Sequence, residues 1–356
     1  MILILLVQIA PAHAATSHYR YTMTYTFENR GSSQVTLTKD DLAVPLFTIN
    51  EHQTVTITSS APSLGSPYTD EDGNMLADPN LDPTIQPGGK ITYTVTYEIA
   101  SSDKSKPQLS LSNAGTISDI PSTPVVDHTA STESFWANDA EIAALAGRLT
   151  AGESTVLGKV ARLVKWLDAN VTYANNEVPL YPDETLKQRK GDCDDQSILL
   201  ISMLRSLGIP AYLEIGVVFN SGIGGDDTVW DGHFSIKETG LAWHGWVMVY
   251  TPPWGWIPVD LTLTSNSDPL KMIQGAPEYT PAVVTAMKIS KQEYTSLSVE
   301  TRQRIISSNI YVSSTETAEG VQASWIQPTM ILIAAALAAA IGFMFYTLRR
   351  QRQQPI

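Results

Sequence analysis

The chain has 356 residues, of which 43% are hydrophobic and 17% charged, and it carries a formal net charge of -13. That content is ordinary for a folded protein of about two domains, and the acidic balance excludes nucleic acid, which rewards basic patches. A single cysteine excludes an internal disulfide and leaves either a buried inert thiol or a reactive one.

Residues 2–9 form a short apolar run ending in Ala10-Pro11-Ala12-His13-Ala14. Small residues spaced this way suit a signal peptidase, so residues 1–14 are expected to be a signal peptide, although no basic residue precedes the run. In residues 19–27 large apolar side chains take the odd positions and polar ones the even, and residues 91–99 repeat the pattern. A period of two marks half-buried strands. With shorter apolar runs at 35–37, 46–49 and 54–57, residues 15–113 are expected to form an all-β sandwich accessory domain. Within it, Asp70-Glu71-Asp72-Gly73-Asn74 lacks the later bidentate glutamate of a calcium loop and reads as a solvated turn.

A Ser/Pro/Thr-rich linker is expected over 114–134, after which the apolar period becomes helical. Asn138 or Asp139 can cap a helix containing Ile142, Leu145, Ala146 and Leu149, and a second runs from Val156 to Leu167. A third begins at Cys193 and presents Leu200, Met203, Leu204 and Leu207 on one face before Gly208 ends it. Strand-like runs follow at 211–219, 245–250 and 256–259. Helices followed by strands predict an α+β core over 135–278. Residues 279–325 are expected to be a closing segment and stalk. From Met330 to Leu348 no residue is charged, so 326–348 is expected to be a transmembrane helix, with the basic tail 349–356 cytoplasmic. The expected localisation is the cell membrane, single-pass, with the ectodomain outside.

Cys193 stands where a helix starts, a setting that favours a thiolate, and Asp192 is placed to cap that helix. Of the six histidines, only His233 and His244 fall downstream of the cysteine in the same domain. His233 follows a Gly/Asp-rich stretch, whereas His244 sits in the alternating strand 243–250, which makes it the better base. Asp260 lies on the next apolar run, joined to that strand by the turn Thr251-Pro252-Pro253-Trp254-Gly255, so a hairpin would set it beside His244. Cys, His and Asp in this order follow the logic of a papain-type triad.

Over residues 135–264 the chain resembles the transglutaminase-like superfamily of cysteine enzymes. The resemblance is carried by Trp166, Asn170-Val171-Thr172-Tyr173, Thr185-Leu186 leading into Arg189-x-Gly191-x-Cys193, Leu199-Leu200, Leu204 through Ala211, His244-Gly245-Trp246-Val247, and Trp256 through Thr262. It implies a papain-like fold of helices packed on an antiparallel sheet, with Cys193 as nucleophile, His244 as general base and acid, and Asp260 as orienter. It also implies a protein or peptide substrate, whose amide is cleaved or transferred through an acyl-thioester, with hydrolysis favoured over transamidation. Gly245 stands where many members have alanine, and Leu261 where many have proline. For the oxyanion, the Cys193 backbone N–H is one donor, with Tyr173 and Gln188 as side-chain candidates. No cofactor is expected, unless Asp192 and Asp194 bind calcium as in a branch of calcium-dependent exported peptidases. The competing function is a non-catalytic cell-surface binding or envelope-assembly module with a relic core.

Overall fold

The computed structural model describes residues 16–321. Its main sheet is built from β1 (Thr16–Asn29), β2 (Gln53–Ala61), β3 (Lys90–Ser102), β4 (Ala211–Val229), β5 (Phe234–Thr251), β6 (Gly255–Val259), β7 (Val283–Ile289) and β8 (Ile310–Gly320). The order is β7-β4-β5-β8-β1-β3-β2, with β6 paired to β5. Only β5 and β8 pair in parallel within this sheet, so it is mixed.

The alternation in β1 and β3 resolves as predicted: Tyr21, Met23, Phe27, Tyr93, Val95, Tyr97 and Ile99 point into a core. Their register pairs Tyr21 with Tyr97 and Tyr25 with Tyr93, and the paired rings stack at 5.3 and 5.7 Å between centroids. The expected self-contained sandwich is nevertheless corrected. These strands join those of the α+β core in one sheet, and their hydrophobic cluster includes Val217, Phe219, Leu241, Val284 and Ile305 from beyond residue 200.

The joint is β8, in the segment expected to be a closing piece and stalk. It lies between β1 and β5. Its buried positions are Ile310, Val312, Ser314 and Glu316, so half of its inward face is polar and its alternation is invisible to a hydrophobic pattern. Glu316 accepts hydrogen bonds from Tyr21 Oη (2.6 Å), Tyr25 Oη (3.1 Å) and Trp243 Nε1 (2.8 Å), which offset the cost of burying a carboxylate. The acidic turn at 70–74 is also more than a solvated turn. Asp72 accepts from the backbone N–H groups of Ser290 and Lys291, and Asn74 exchanges hydrogen bonds with the Lys288 backbone, so the turn clamps the chain that follows β7.

The helices that matter for the site are α1 (Ala140–Leu149), α2 (Val156–Asn170), α3 (Pro182–Gln188), α4 (Cys193–Ser206) and α5 (Tyr294–Ser307). Asp139 caps α1 through the N–H groups of Glu141 and Ile142. In α2 the buried stripe Val156, Val160, Leu163, Val164 and Leu167 keeps helical spacing. α4 is the central helix. It packs on α1, α2, α3, β4 and β5, every residue from Asp195 to Arg205 is buried, and Gly208 at φ 74° follows its end. Strands β4 and β5 are 19 and 18 residues long, and their inner halves serve the helical core while their outer halves serve the β core.

The single-pass membrane localisation expected from the sequence is corrected: among the described residues no helix is long and apolar enough to cross a membrane. The expected signal peptide (1–14) and transmembrane helix (326–348) lie outside the described residues.

Candidate active site

Cys193 is the first residue of α4. Asp192 caps the helix through Asp195 N (3.4 Å), and Asp195 reaches back to Asp192 N (3.1 Å). This capping box is a device worth about 1 kcal/mol and it fixes where the thiol stands. The backbone N–H groups of Gly245 and Asp194 favour the thiolate, but burial first, then Asp194 and Asp192, outweigh them and push the thiol well above its usual range. Asp192 is itself pushed up to about 10, by burial and by its neighbours Asp194 and Asp195. Asp194 accepts from Tyr294 Oη on α5 (2.8 Å), and the buried Asp195 accepts from Leu180 N and Asn176 Nδ2, both at 2.6 Å.

His244 comes from β5 and Asp260 from the end of β6. The hairpin predicted around Pro252-Pro253 forms, pairing Thr251 with Gly255 and Val247 with Val259, and so carries Asp260 to the imidazole. His244 Nε2 lies 2.8 Å from Asp260 Oδ2, with the two residues only 5% and 1% exposed. Oδ1 of the same carboxylate accepts from Thr262 N (2.7 Å) and Leu263 N (2.8 Å). Burial alone would raise the Asp260 carboxyl, but the His244 bond and these backbone donors hold it below the ordinary range. With Nε2 engaged, Nδ1 is the ring nitrogen left to take a proton. Gly245, next to His244, touches the start of α4: a Cβ built on it would lie 3.4 Å from Asp194 Cβ.

The histidine is also held from its side. The Trp246 ring stacks beside it at 5.9 Å, and Trp246 Nε1 donates to Glu214 (3.1 Å). Gly216, the cross-strand partner of His244 on β4, makes room for that ring, because a Cβ there would fall 2.3 Å from Val284 O and 2.6 Å from Trp246 Cη2.

Of the two oxyanion candidates, only Tyr173 lies close enough to Cys193 for the two groups to act on each other electrostatically. Its phenol is pushed up to about 12, by burial and then by the adjacent Cys193, while its side chain stays largely open to solvent. Gln188 is exposed at the end of α3, and no hydrogen bond among the described residues ties it to Cys193. His233, the less favoured base, is a structural residue: Nδ1 lies 2.8 Å from Ile310 O and the ring stacks on Tyr311. Sequence reasoning missed Trp246, Gly216, Tyr294 and Glu278. The last is 1% exposed, with Oε1 3.9 Å from His244 Nε2. No spacing rule pointed to Glu278, whereas Trp246 could have been found as the next inward or outward neighbour of His244 on an alternating strand.

Residues 143–261 match the family model of the transglutaminase-like superfamily, and this part of the chain is a transglutaminase-like core. No curated protein matches the chain. Among solved structures, a candidate cysteine protease from Cytophaga hutchinsonii aligns over 88% of this chain and 93% of its own, at 13% identity and a TM-score of 0.54, which supports the fold. The periplasmic domain of TgpA from Pseudomonas aeruginosa, bound to ethylmercury, aligns over 67% of this chain and 72% of its own, at 16% identity and a TM-score of 0.36. A candidate protease from Parabacteroides distasonis aligns over 78% and 68%, at 13% identity and a TM-score of 0.28. At those two scores the likeness says nothing further about this chain.

Proposed function

We propose that the protein is a cysteine enzyme that opens peptide or side-chain amides through an acyl-thioester on Cys193. The observation that carries this reading is the buried His244–Asp260 pair, 2.8 Å apart, on the strand whose Gly245 N–H faces the Cys193 sulfur. Because burial and then Asp194 and Asp192 disfavour the thiolate of Cys193, His244 acts as a general base during attack. Nδ1 takes the S–H proton as sulfur bonds to the carbonyl carbon, and the carbonyl oxygen gains the negative charge. As that intermediate collapses, the C–N bond breaks and the imidazolium returns the proton to the leaving amine. Water then resolves the thioester, with His244 again taking its proton. The Cys193 backbone N–H and Tyr173 are the oxyanion donors proposed for these steps. Hydrolysis is favoured over transfer to an amine, in keeping with the protease description of the Cytophaga relative.

Asp192 and Asp194 fit a hard cation. Each offers a carboxylate oxygen within 4.8 Å of the other, and Asp192 is raised by burial first and then by Asp194, a setting that a positive ion would relieve. A calcium ion held there would supply positive charge that favours the thiolate of Cys193.

The test is the rate of Cys193 alkylation by iodoacetamide across pH, in the protein and in His244→Ala. The expected result is a rise with pH that depends on His244 and falls about 100-fold in the variant. Identical profiles would instead favour the non-catalytic binding module. Adding EDTA and then CaCl2 to the same assay is expected to slow and then restore the reaction.

A further inference from the structure

Among the described residues two glutamates are almost wholly buried, and they are treated differently. Glu316, 2% exposed, receives two tyrosine hydroxyls and an indole N–H. Glu278, 1% exposed, has no donor for either oxygen among the described residues. It sits in the short turn Pro277–Tyr279, directly before β7, and one ligand oxygen each of Glu278 and Asp260 lies within 4.8 Å of the other and of a His244 nitrogen.

An ionised Glu278 would place a second carboxylate in a dry site beside Asp260 with nothing to balance it. A protonated Glu278 solves both difficulties. Its O–H becomes the missing donor, and Asp260 Oδ2, whose one hydrogen bond among the described residues is with His244 Nε2, keeps a lone pair to accept it. The charged and titratable groups that bear on Glu278 are Asp260, His244, Tyr279 and Lys104. Burial first and Asp260 next hold its carboxyl well above the ordinary range, opposed by its own backbone N–H and, more weakly, by Lys104.

Building on the function proposed above, we propose that Glu278 is a positioning residue of the active site, a neutral carboxylic acid that donates to Asp260 and confines the cluster's single negative charge to the Asp260–His244 bond. Donation draws charge from Asp260, so His244 releases its proton more readily and serves as a base at lower pH. Ionising Glu278 would have the opposite effect, 3.9 Å from the imidazole.

The experiment compares the midpoint of the His244-dependent rise in Cys193 alkylation for the protein, Glu278→Gln and Glu278→Leu, each checked for folding by thermal melting. Glu278→Leu removes the donor and is expected to move the midpoint up by about 0.5 to 1 pH unit. In Glu278→Gln an amide N–H can replace the O–H, and the midpoint is expected to return to within about 0.3 unit of the original. A folded Leu variant with an unmoved midpoint overturns the proposal, as does a Gln variant shifted as far as Leu. Should the Leu variant fail to fold, infrared difference spectra of the protein against Glu278→Gln decide. A protonated-carboxyl C=O band at neutral pH, lost in the variant, is expected, and its absence overturns the proposal. A wild-type profile that does not respond to His244→Ala would remove the enzyme reading instead, while the infrared result on Glu278 would still stand.

Discussion

The two sides of the site treat carboxylates in opposite ways. On the histidine side one acid, Asp260, meets an imidazole and two backbone N–H groups and is held ionised. On the cysteine side Asp192, Asp194 and Asp195 crowd one helix start, and Asp192 and Asp195 are raised instead, by burial before anything else. The lesson concerns division of labour. On the function proposed above, the histidine side would supply the base, whereas on the cysteine side burial and then Asp194 and Asp192 raise the cost of the thiolate.

The largest expected effect comes from removing the acid that is held ionised against His244. Asp260→Ala leaves His244 buried without its partner and strips two backbone donors of their acceptor. Urea unfolding is expected to register a loss of about 3 kcal/mol, and Cys193 alkylation is expected to fall to the level of His244→Ala. A stable variant with intact reactivity would show that the contrast between the two sides is not what sets the chemistry.

Gly216→Ala comes next, because it disturbs the histidine side without touching a charge. The added methyl meets a backbone carbonyl at 2.3 Å as well as the Trp246 ring, so β4 and β7 must part. A destabilisation of about 2 kcal/mol is expected, together with slower alkylation as Trp246 is pushed toward His244. Denaturant titration and the alkylation rate would read the two effects separately.

A third test uses the opposite signs of the two shifts. Asp260 is depressed, so its contribution to stability is present above the ordinary carboxylate range and is lost as pH falls through its folded value. Asp192 is raised from 3.8 to about 10, so between those values the native state keeps a proton that the unfolded chain releases, and stability declines as pH rises. Asp192→Asn preserves a good N-cap while abolishing that titration. Thermal melts from pH 4 to pH 10 are expected to lose part of their downward slope. An unchanged slope would mean that a neighbouring acid carries the proton.

Much of this site was legible because its groups lie on regular elements with strong signals. Cys193 was marked by a helix start, His244 by an alternating strand, and Asp260 by a Pro/Gly turn that could only be a hairpin. The fold was legible where inward residues are apolar, as in β1 and β3, and illegible where they are not. In β8 the inward Glu316 depends on Tyr21, Tyr25 and Trp243, residues nearly 300 and 73 positions away, for its satisfaction. The same holds for Asp72 and Asn74, whose partners lie more than 200 residues downstream. Glu278 was hidden for a related reason, since a lone glutamate between Pro277 and Tyr279 becomes a site residue only when β7 is folded against β4.

The smallest effect tests the contact between the two sides. Gly245 is where many transglutaminase-like proteins carry alanine, and it does not hold a positive φ, so backbone strain does not reserve the position for glycine. A Cβ there would lie 3.2 Å from Ile215 Cδ1, 3.4 Å from Asp194 Cβ and 3.5 Å from Leu213 Cδ1. The two Cδ1 atoms end flexible side chains and can yield by a few tenths of an ångström. Asp194 is fixed to the first turn of α4 and also held by Tyr294, so any residual push falls on the helix start that carries Cys193. Gly245→Ala is therefore expected to cost less than about 1 kcal/mol in a thermal melt, with at most a few-fold change in the alkylation rate. A loss above about 2 kcal/mol would show that β5 and the start of α4 fit too closely for a single methyl, and that in this protein the glycine sets the spacing between base and nucleophile.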